Sequence, residues 1–191
     1  MKFYDKQGEE MRILAEDTLA LMIDFQERLV PVIHNNNELL HNTEILIKGL
    51  KALEIPMIVT QQYTKGIGMT VPVITEAIGE EFSYQDKLTF SCAEDEMILH
   101  KIEDMGRKNI IICGIEAHIC VLQSVIDLLQ KGYHVILVED CIGSRKESDL
   151  NTAVKRATSE GAIITSYESI LFELTRVAKT DVFREISKLI K

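Results

Sequence analysis

The stretch NIIICGIEAHIC, residues 109–120, decides the fold. Asn109 to Cys113 is a short run rich in Ile, apolar on both faces, as a strand in a sheet covered on both sides requires. Gly114 breaks the run. From His118 to Lys131 the period changes: Leu122, Val125, Ile126 and Leu129 recur at helical spacing, and Lys131-Gly132 forms a stop. A buried strand, a turn and a helix in this order are one unit of a wound α/β sheet.

Four other segments repeat the strand signal. Leu19–Ile23 (LALMI) and His134–Val138 (HVILV) are the clearest, Pro56–Thr60 (PMIVT) is a fourth strand and Ala162–Thr165 (AIIT) a weaker fifth. A sixth, near Ser83–Gln85, is faint. Helical faces lie between them: Glu38–Leu53, entered through Asn35-Asn36-Asn37, then Ser148–Glu160, closed by Gly161, and a last helix over Val182–Ile190. The alternation predicts an α/β fold, a doubly wound three-layer sandwich around a parallel sheet. Gln61–Gly79, with scattered Gly and Pro, reads as a long loop over one end of the sheet.

The 191 residues make a single domain, 1–191, long enough for a sizeable core; 46% are apolar, and there is no repeat or low-complexity tract. The net charge of −9 is spread along the chain without a basic stripe, so neither nucleic acid nor an anionic membrane is an expected partner. The opening MKFYDKQGEE has no apolar signal core, and the longest apolar runs fall far short of the roughly 20 residues of a membrane helix. A cytoplasmic protein is the expectation, with its four cysteines as free thiols; none forms a CxxC pair, so no structural zinc is expected.

Ligands of parallel α/β sheets bind beyond the carboxyl ends of the strands. Asp24 stands directly after LALMI, either as a capping or turn residue or as a shielded general base. Cys120 falls in the first turn expected for its helix, where unpaired N–H groups and the positive dipole end favour a thiolate and offer donors to an oxyanion. Cys92, Cys113 and Cys141 read as structural thiols: one in a loop or helix entry, one inside a strand, one after a strand. Lys87 is an ordinary surface charge unless it points into the same pocket, where it would keep Asp24 ionised and favour the thiolate. Of the five histidines, His34 and His41 read as flanking a loop, and His118 lies close to Cys120 but is badly placed to act as its base.

Three motifs in order carry a resemblance. Asp24-Phe25-Gln26, Lys87 to Ser91, and Gly114 to Val121 are similar to the isochorismatase-like cysteine hydrolases, and Cys113–Ala117, Gln62-Tyr63 with Gly66 and Gly68, Val71-Pro72 and Glu185–Ile190 are similar to the isochorismatase domain-containing subgroup. The resemblance extends to about Leu189. It implies a six-stranded parallel sheet in the order 3-2-1-4-5-6, with Asp24 and Cys120 side by side at the switch point. It also implies a cis peptide at Ile115-Glu116 and an oxyanion hole from the Glu116 and Cys120 N–H groups. Asp24, Lys87 and Cys120 would be the catalytic set, performing acyl transfer through a thioester without a cofactor. Phe25, Gln62, Tyr63, Phe90, Ala117 and His118 are candidate substrate contacts.

Metal-dependent nicotinamidases of that family carry histidines after the second strand. Here the place reads Thr60-Gln61-Gln62-Tyr63, so no metal is expected. True isochorismatases lack the cysteine nucleophile, so the family name is not the substrate. The leading expectation is hydrolysis of a C–N bond in a small amide, carbamoyl or ureido compound by a homo-oligomer. The alternatives are vinyl-ether hydrolysis, for which Cys120 is dispensable, a binding or scaffold protein with little turnover, and a thiol redox sensor, against which the lack of a CxxC pair counts.

Overall fold

In the computed structural model the apolar runs form the middle of one six-stranded, all-parallel sheet. Its strands are β1 (Thr18–Ile23), β2 (Met57–Gln62), β3 (Tyr84–Lys87), β4 (Asn109–Ile115), β5 (His134–Gly143) and β6 (Ile163–Thr165), in the spatial order 3-2-1-4-5-6. The structure describes residues 12–191 in full, and of the residues before them only the backbone pairing of Phe3–Tyr4 with Glu10–Met11. The amino-terminal reading of MKFYDKQGEE therefore falls largely outside the described residues.

Side chains along the central strands alternate between two cores, as a pleated strand demands. Ala20, Met22, Ile111, Cys113, Ile136 and Val138 face one layer; Leu19, Leu21, Ile23, Ile110, Ile112, Val135 and Leu137 face the other. The first layer is covered by α1 (Asn36–Ala52), α3 (Pro72–Ile78), α7 (Tyr167–Thr175) and α8 (Asp181–Leu189). The second is covered by α4 (Glu96–Asp104), α5 (Leu122–Gln130) and α6 (Glu147–Glu160). Both faces of β1 and β4 are buried throughout, which is why their sequences carry no polar alternation.

Several sequence expectations shift. The stretch Gln61–Gly79 is not one loop: Gln61 and Gln62 end β2, a single turn α2 (Thr64–Ile67) follows, and α3 opens at Pro72. Gly66, Gly68 and Pro72 cut the helical period into pieces too short to read. His41 lies inside α1 rather than beside a loop. Cys141 lies within β5, in an irregular segment where the β4 register jumps from Ile112↔Leu137 to Gly114↔Ile142. Helices α4 and α7 carry start signals that the apolar period alone obscured. Asp95 accepts from the N–H groups of Met97 and Ile98, and Ser166 accepts from that of Ser169. The faint sixth strand is real and lies at the sheet edge as β3. Its side chains alternate between exposed and half-buried until Lys87, which is buried.

Order reverses between β1 and β4, and their register brings Ile23 opposite Gly114. Gly114 has φ +143°, and a Cβ there would strike the carbonyl oxygen and Cβ of Ile23. Both constraints demand glycine. Gly114→Ala is expected to lower the unfolding free energy by about 2 kcal/mol or more, read as a reduced urea midpoint, and to displace Asp24, the residue after Ile23.

Candidate active site

Three parallel strands deliver the site. Ile23 pairs with Thr60, Thr60 with Gln85, and Gln62 with Lys87. Asp24 leaves β1 in the left-handed region at φ +56°, its N–H donating to the Thr60 carbonyl at 3.2 Å. The Gln26 N–H then donates to the Asp24 carbonyl at 2.7 Å, tightening the turn.

Lys87 and Asp24 form a completely buried ion pair, Nζ to Oδ2, at 2.7 Å. The ammonium also donates to Gln62 Oε1 at 2.7 Å and to the carbonyls of Thr89 and Phe90 at 3.3 and 3.2 Å. Its three protons are thereby used within the protein. The other Asp24 oxygen, Oδ1, accepts the Thr60 hydroxyl at 2.7 Å. Burial is the largest single influence and depresses the Lys87 pKa, but the Asp24 charge and hydrogen bond together with the neighbouring Cys92 and Cys120 outweigh it, and the net shift is upward.

Gln62 is itself locked. Its N–H donates to Gln26 Oε1 at 2.7 Å, Gln26 Nε2 returns a bond to the Gln62 carbonyl at 3.0 Å, and Gln62 Nε2 donates to the Leu88 carbonyl at 3.0 Å. Gln26 also holds the Gly68 carbonyl at 2.7 Å, tying down the connection between β2 and α3. Gln62 is thus spent on fixing Lys87 and the segment after it.

Cys120 closes the cluster from the β4 side. The Ile115-Glu116 peptide is cis. After it, Ala117–Val121 forms a π-helical turn before α5 begins at Leu122, so Cys120 does not sit in the first turn of an α-helix. The Asp24 carboxylate acts on its thiol, whose pKa is raised from 9.0 to about 12 by burial first and the Asp24 charge second. The expectation of a resting thiolate is therefore corrected: desolvation and an adjacent carboxylate outweigh the helix-end field, and the group rests as a neutral thiol.

The remaining candidates scatter around this centre. Phe25 has no exposed surface and belongs to the core of the α1 layer. Ala117 is buried beside Cys120. Tyr63 and Phe90 are each about half exposed, at 51% and 53%, and Leu88 is exposed at 75%; all three follow the ends of β2 and β3. His118 Nδ1 is engaged with Ser144 Oγ at 2.9 Å. The Glu116 carboxylate accepts from Arg145 Nε at 3.0 Å and from the Arg145 N–H at 3.2 Å.

Thr60 and Ser124 escaped the sequence reading, and Cys92, read as a structural thiol, joins them in the cluster. Cys92, fully buried, has Sγ 4.0 Å from Thr60 Oγ1. Ser124 accepts from the Cys92 N–H at 2.9 Å and donates to the Cys120 carbonyl at 2.7 Å, joining the loop after Lys87 to the nucleophile's turn. Ser124 stands four residues after Cys120, a spacing at which a serine bonds back to a helical carbonyl. That spacing was the available signal. Among the described residues no three of His, Cys, Asp and Glu converge at metal-ligand spacing.

Known proteins share this architecture. An isochorismatase domain model matches residues 18–169. The chain is 35% identical over 183 residues to the secreted isochorismatase effector Isc1 of Phytophthora sojae, covering 94% of this chain and 87% of that protein. It is 33% identical over 180 residues to isochorismatase domain-containing protein 2 of Danio rerio, covering 94% and 89%. A solved structure of the MAR1 ribonuclease from Caenorhabditis elegans superposes with a TM-score of 0.88 at 35% identity, covering 94% of this chain and 92% of that one.

Burial also raises the Cys92 pKa, from 9.0 to about 11. A raised folded-state value means that the folded protein holds this proton more tightly than the unfolded chain does. Its contribution to stability is complete below about pH 9 and is lost as pH climbs toward 11 and beyond. Urea unfolding at pH 8 and pH 11 is expected to show a smaller alkaline loss for Cys92→Ala than for the wild type, by about 2 kcal/mol.

Proposed function

The chain belongs to the isochorismatase family, and from that premise we propose that it is a metal-independent cysteine hydrolase cleaving a C–N bond of a small amide, carbamoyl or ureido compound. The observation that carries this reading is the fully buried Asp24 carboxylate, held by Lys87 and Thr60, whose charge acts on the buried Cys120 thiol. A carboxylate held ionised, without water, against a neutral thiol is a base placed for one task.

Because Cys120 rests protonated, attack and proton transfer go together. Sγ bonds to the substrate carbonyl carbon as Asp24 takes the thiol proton, and the carbonyl electron pair moves to oxygen. The N–H groups of Glu116 and Cys120 are assigned to this oxyanion. Its collapse breaks the C–N bond, and Asp24 returns the proton to the departing nitrogen. A water then attacks the thioester with Asp24 as base, expelling the Cys120 sulfur, which recovers its proton. Lys87, with its protons committed, acts through Asp24 and not on the substrate. Tyr63, Leu88 and Phe90 are the side chains assigned to the substrate's body.

The four described cysteines are unpaired and buried, which supports a reducing, cytoplasmic setting. The exposed apolar side chains Leu88, Phe90 and Tyr63 also support assembly into a homo-oligomer. A nuclease reading, which the name of the Caenorhabditis protein raises, has against it a net charge of −9 and a central lysine enclosed from phosphate.

Relative labelling of the four thiols does not test this function, because Cys120 retains 6% exposure and the other three none, so access alone favours it. Turnover does. A panel of small amides and ureido acids assayed for ammonia release is expected to yield a substrate for the wild type. Cys120→Ala and Asp24→Asn are each expected to cut kcat by about 10³-fold or more while keeping the wild-type circular dichroism. Undiminished hydrolysis by Cys120→Ala would sink the covalent mechanism.

A further inference from the structure

Resting on the assignment of Asp24 as base for Cys120, we propose that Thr60 is a positioning residue: its hydroxyl occupies one oxygen of Asp24, keeping the carboxylate ionised and turned to Cys120. Thr60 grips Asp24 twice. Its carbonyl accepts the Asp24 N–H at 3.2 Å and its hydroxyl donates to Oδ1 at 2.7 Å. Neither residue has exposed surface, so the hydroxyl stands where an exposed carboxylate would have solvent.

The direction of the chain of bonds is set by chemistry. An ionised carboxylate has no proton to give, so Thr60 donates to it, and a lone pair of Thr60 is left to face the Cys92 thiol at 4.0 Å. The groups facing Asp24 are Lys87 from β3, Thr60 from β2 and Cys120 from the π turn, with Cys92 behind Thr60. Lys87 holds Oδ2 and Thr60 holds Oδ1. Nothing else in this set fixes the plane of the carboxylate.

The strand itself does not need threonine here. PMIVT is otherwise an apolar run, and valine has the same branched shape and strand preference. Only the hydroxyl distinguishes the two residues, and its loss leaves a buried charged acceptor half satisfied.

The test is the pH dependence of Cys120 alkylation by iodoacetamide, followed by mass spectrometry, which requires no substrate. In the wild type the rate constant is expected to fall on the acid side as Asp24 takes a proton. In Thr60→Val that fall is expected about one pH unit higher, whereas Thr60→Ser follows the wild type. Should the valine variant fail to fold, Thr60→Ala carries the same comparison. Coincident wild-type and Thr60→Val profiles, with Asp24→Asn abolishing the acid limb, overturn the role of Thr60 and leave the base assignment standing. A wild-type profile unchanged by Asp24→Asn overturns the base assignment and this proposal with it. A packing role for Thr60 predicts no movement of the limb in any variant.

Discussion

The ion pair between Lys87 and Asp24 constrains the carboxyl edge of the sheet. Two opposite charges lie there without contact to water, an arrangement that costs several kcal/mol per ion unless each is fully hydrogen-bonded. Each is. Asp24 receives Lys87 and Thr60, and Lys87 gives to Asp24, Gln62 and the carbonyls of Thr89 and Phe90. These partners come from β1, β2, β3 and the loop after β3, so the pair forms only when three strands are in register. This accounts for β3, an edge strand with too little apolar surface to be held by burial. It is fixed where its last residue, Lys87, meets Asp24. The two hydrogen bonds between Gln26 and Gln62 serve the same end, locking the Lys87 acceptor to the turn that bears Asp24.

The pair also decides the state of the nucleophile. A free lysine beside a thiol would pull it toward a thiolate. Here the Lys87 charge is met by Asp24, whose own charge acts on Cys120, so burial and the carboxylate prevail and the thiol is pushed up to about 12. The same geometry that raises this barrier to spontaneous ionisation supplies the base that removes the proton during attack. A buried, protonated cysteine is also protected from adventitious oxidation, which follows thiolate character and exposure.

How much of this was legible in the sequence follows from where the information resides. The strands β1, β4 and β5 were readable because burial on both faces leaves an unbroken apolar run. Strand β3 was nearly invisible, since its position depends on a side-chain pair 63 residues apart in sequence rather than on hydrophobicity. Asp24 and Cys120 stood out by position, one at a strand end and one before a helix, but Lys87 was separable from a surface charge only through the motif it shares with a family. The protonation of Cys120 was misjudged because the helix-end rule sees the local backbone and not the carboxylate brought alongside by β1. Thr60 and Ser124 were missed for a related reason: each acts through a neighbour, and a polar residue in that role has no periodicity of its own.

Phe90 shows how one residue divides its service between the two needs of such a site. Its carbonyl accepts from Lys87 and belongs to the fixed electrostatic frame, while its side chain stands half exposed. Leu88 repeats the pattern, with its carbonyl on Gln62 Nε2 and its side chain largely in solvent. Backbone atoms hold the charges, and any residue supplies a carbonyl. The exposed side chains of Leu88 and Phe90 are therefore free to differ without disturbing Asp24, Lys87 or Cys120. Chemistry and recognition are thus carried by different atoms of the same five-residue stretch, Lys87 to Ser91. That division is why a sequence that displays its reactive residues openly says so little about the molecule they act on.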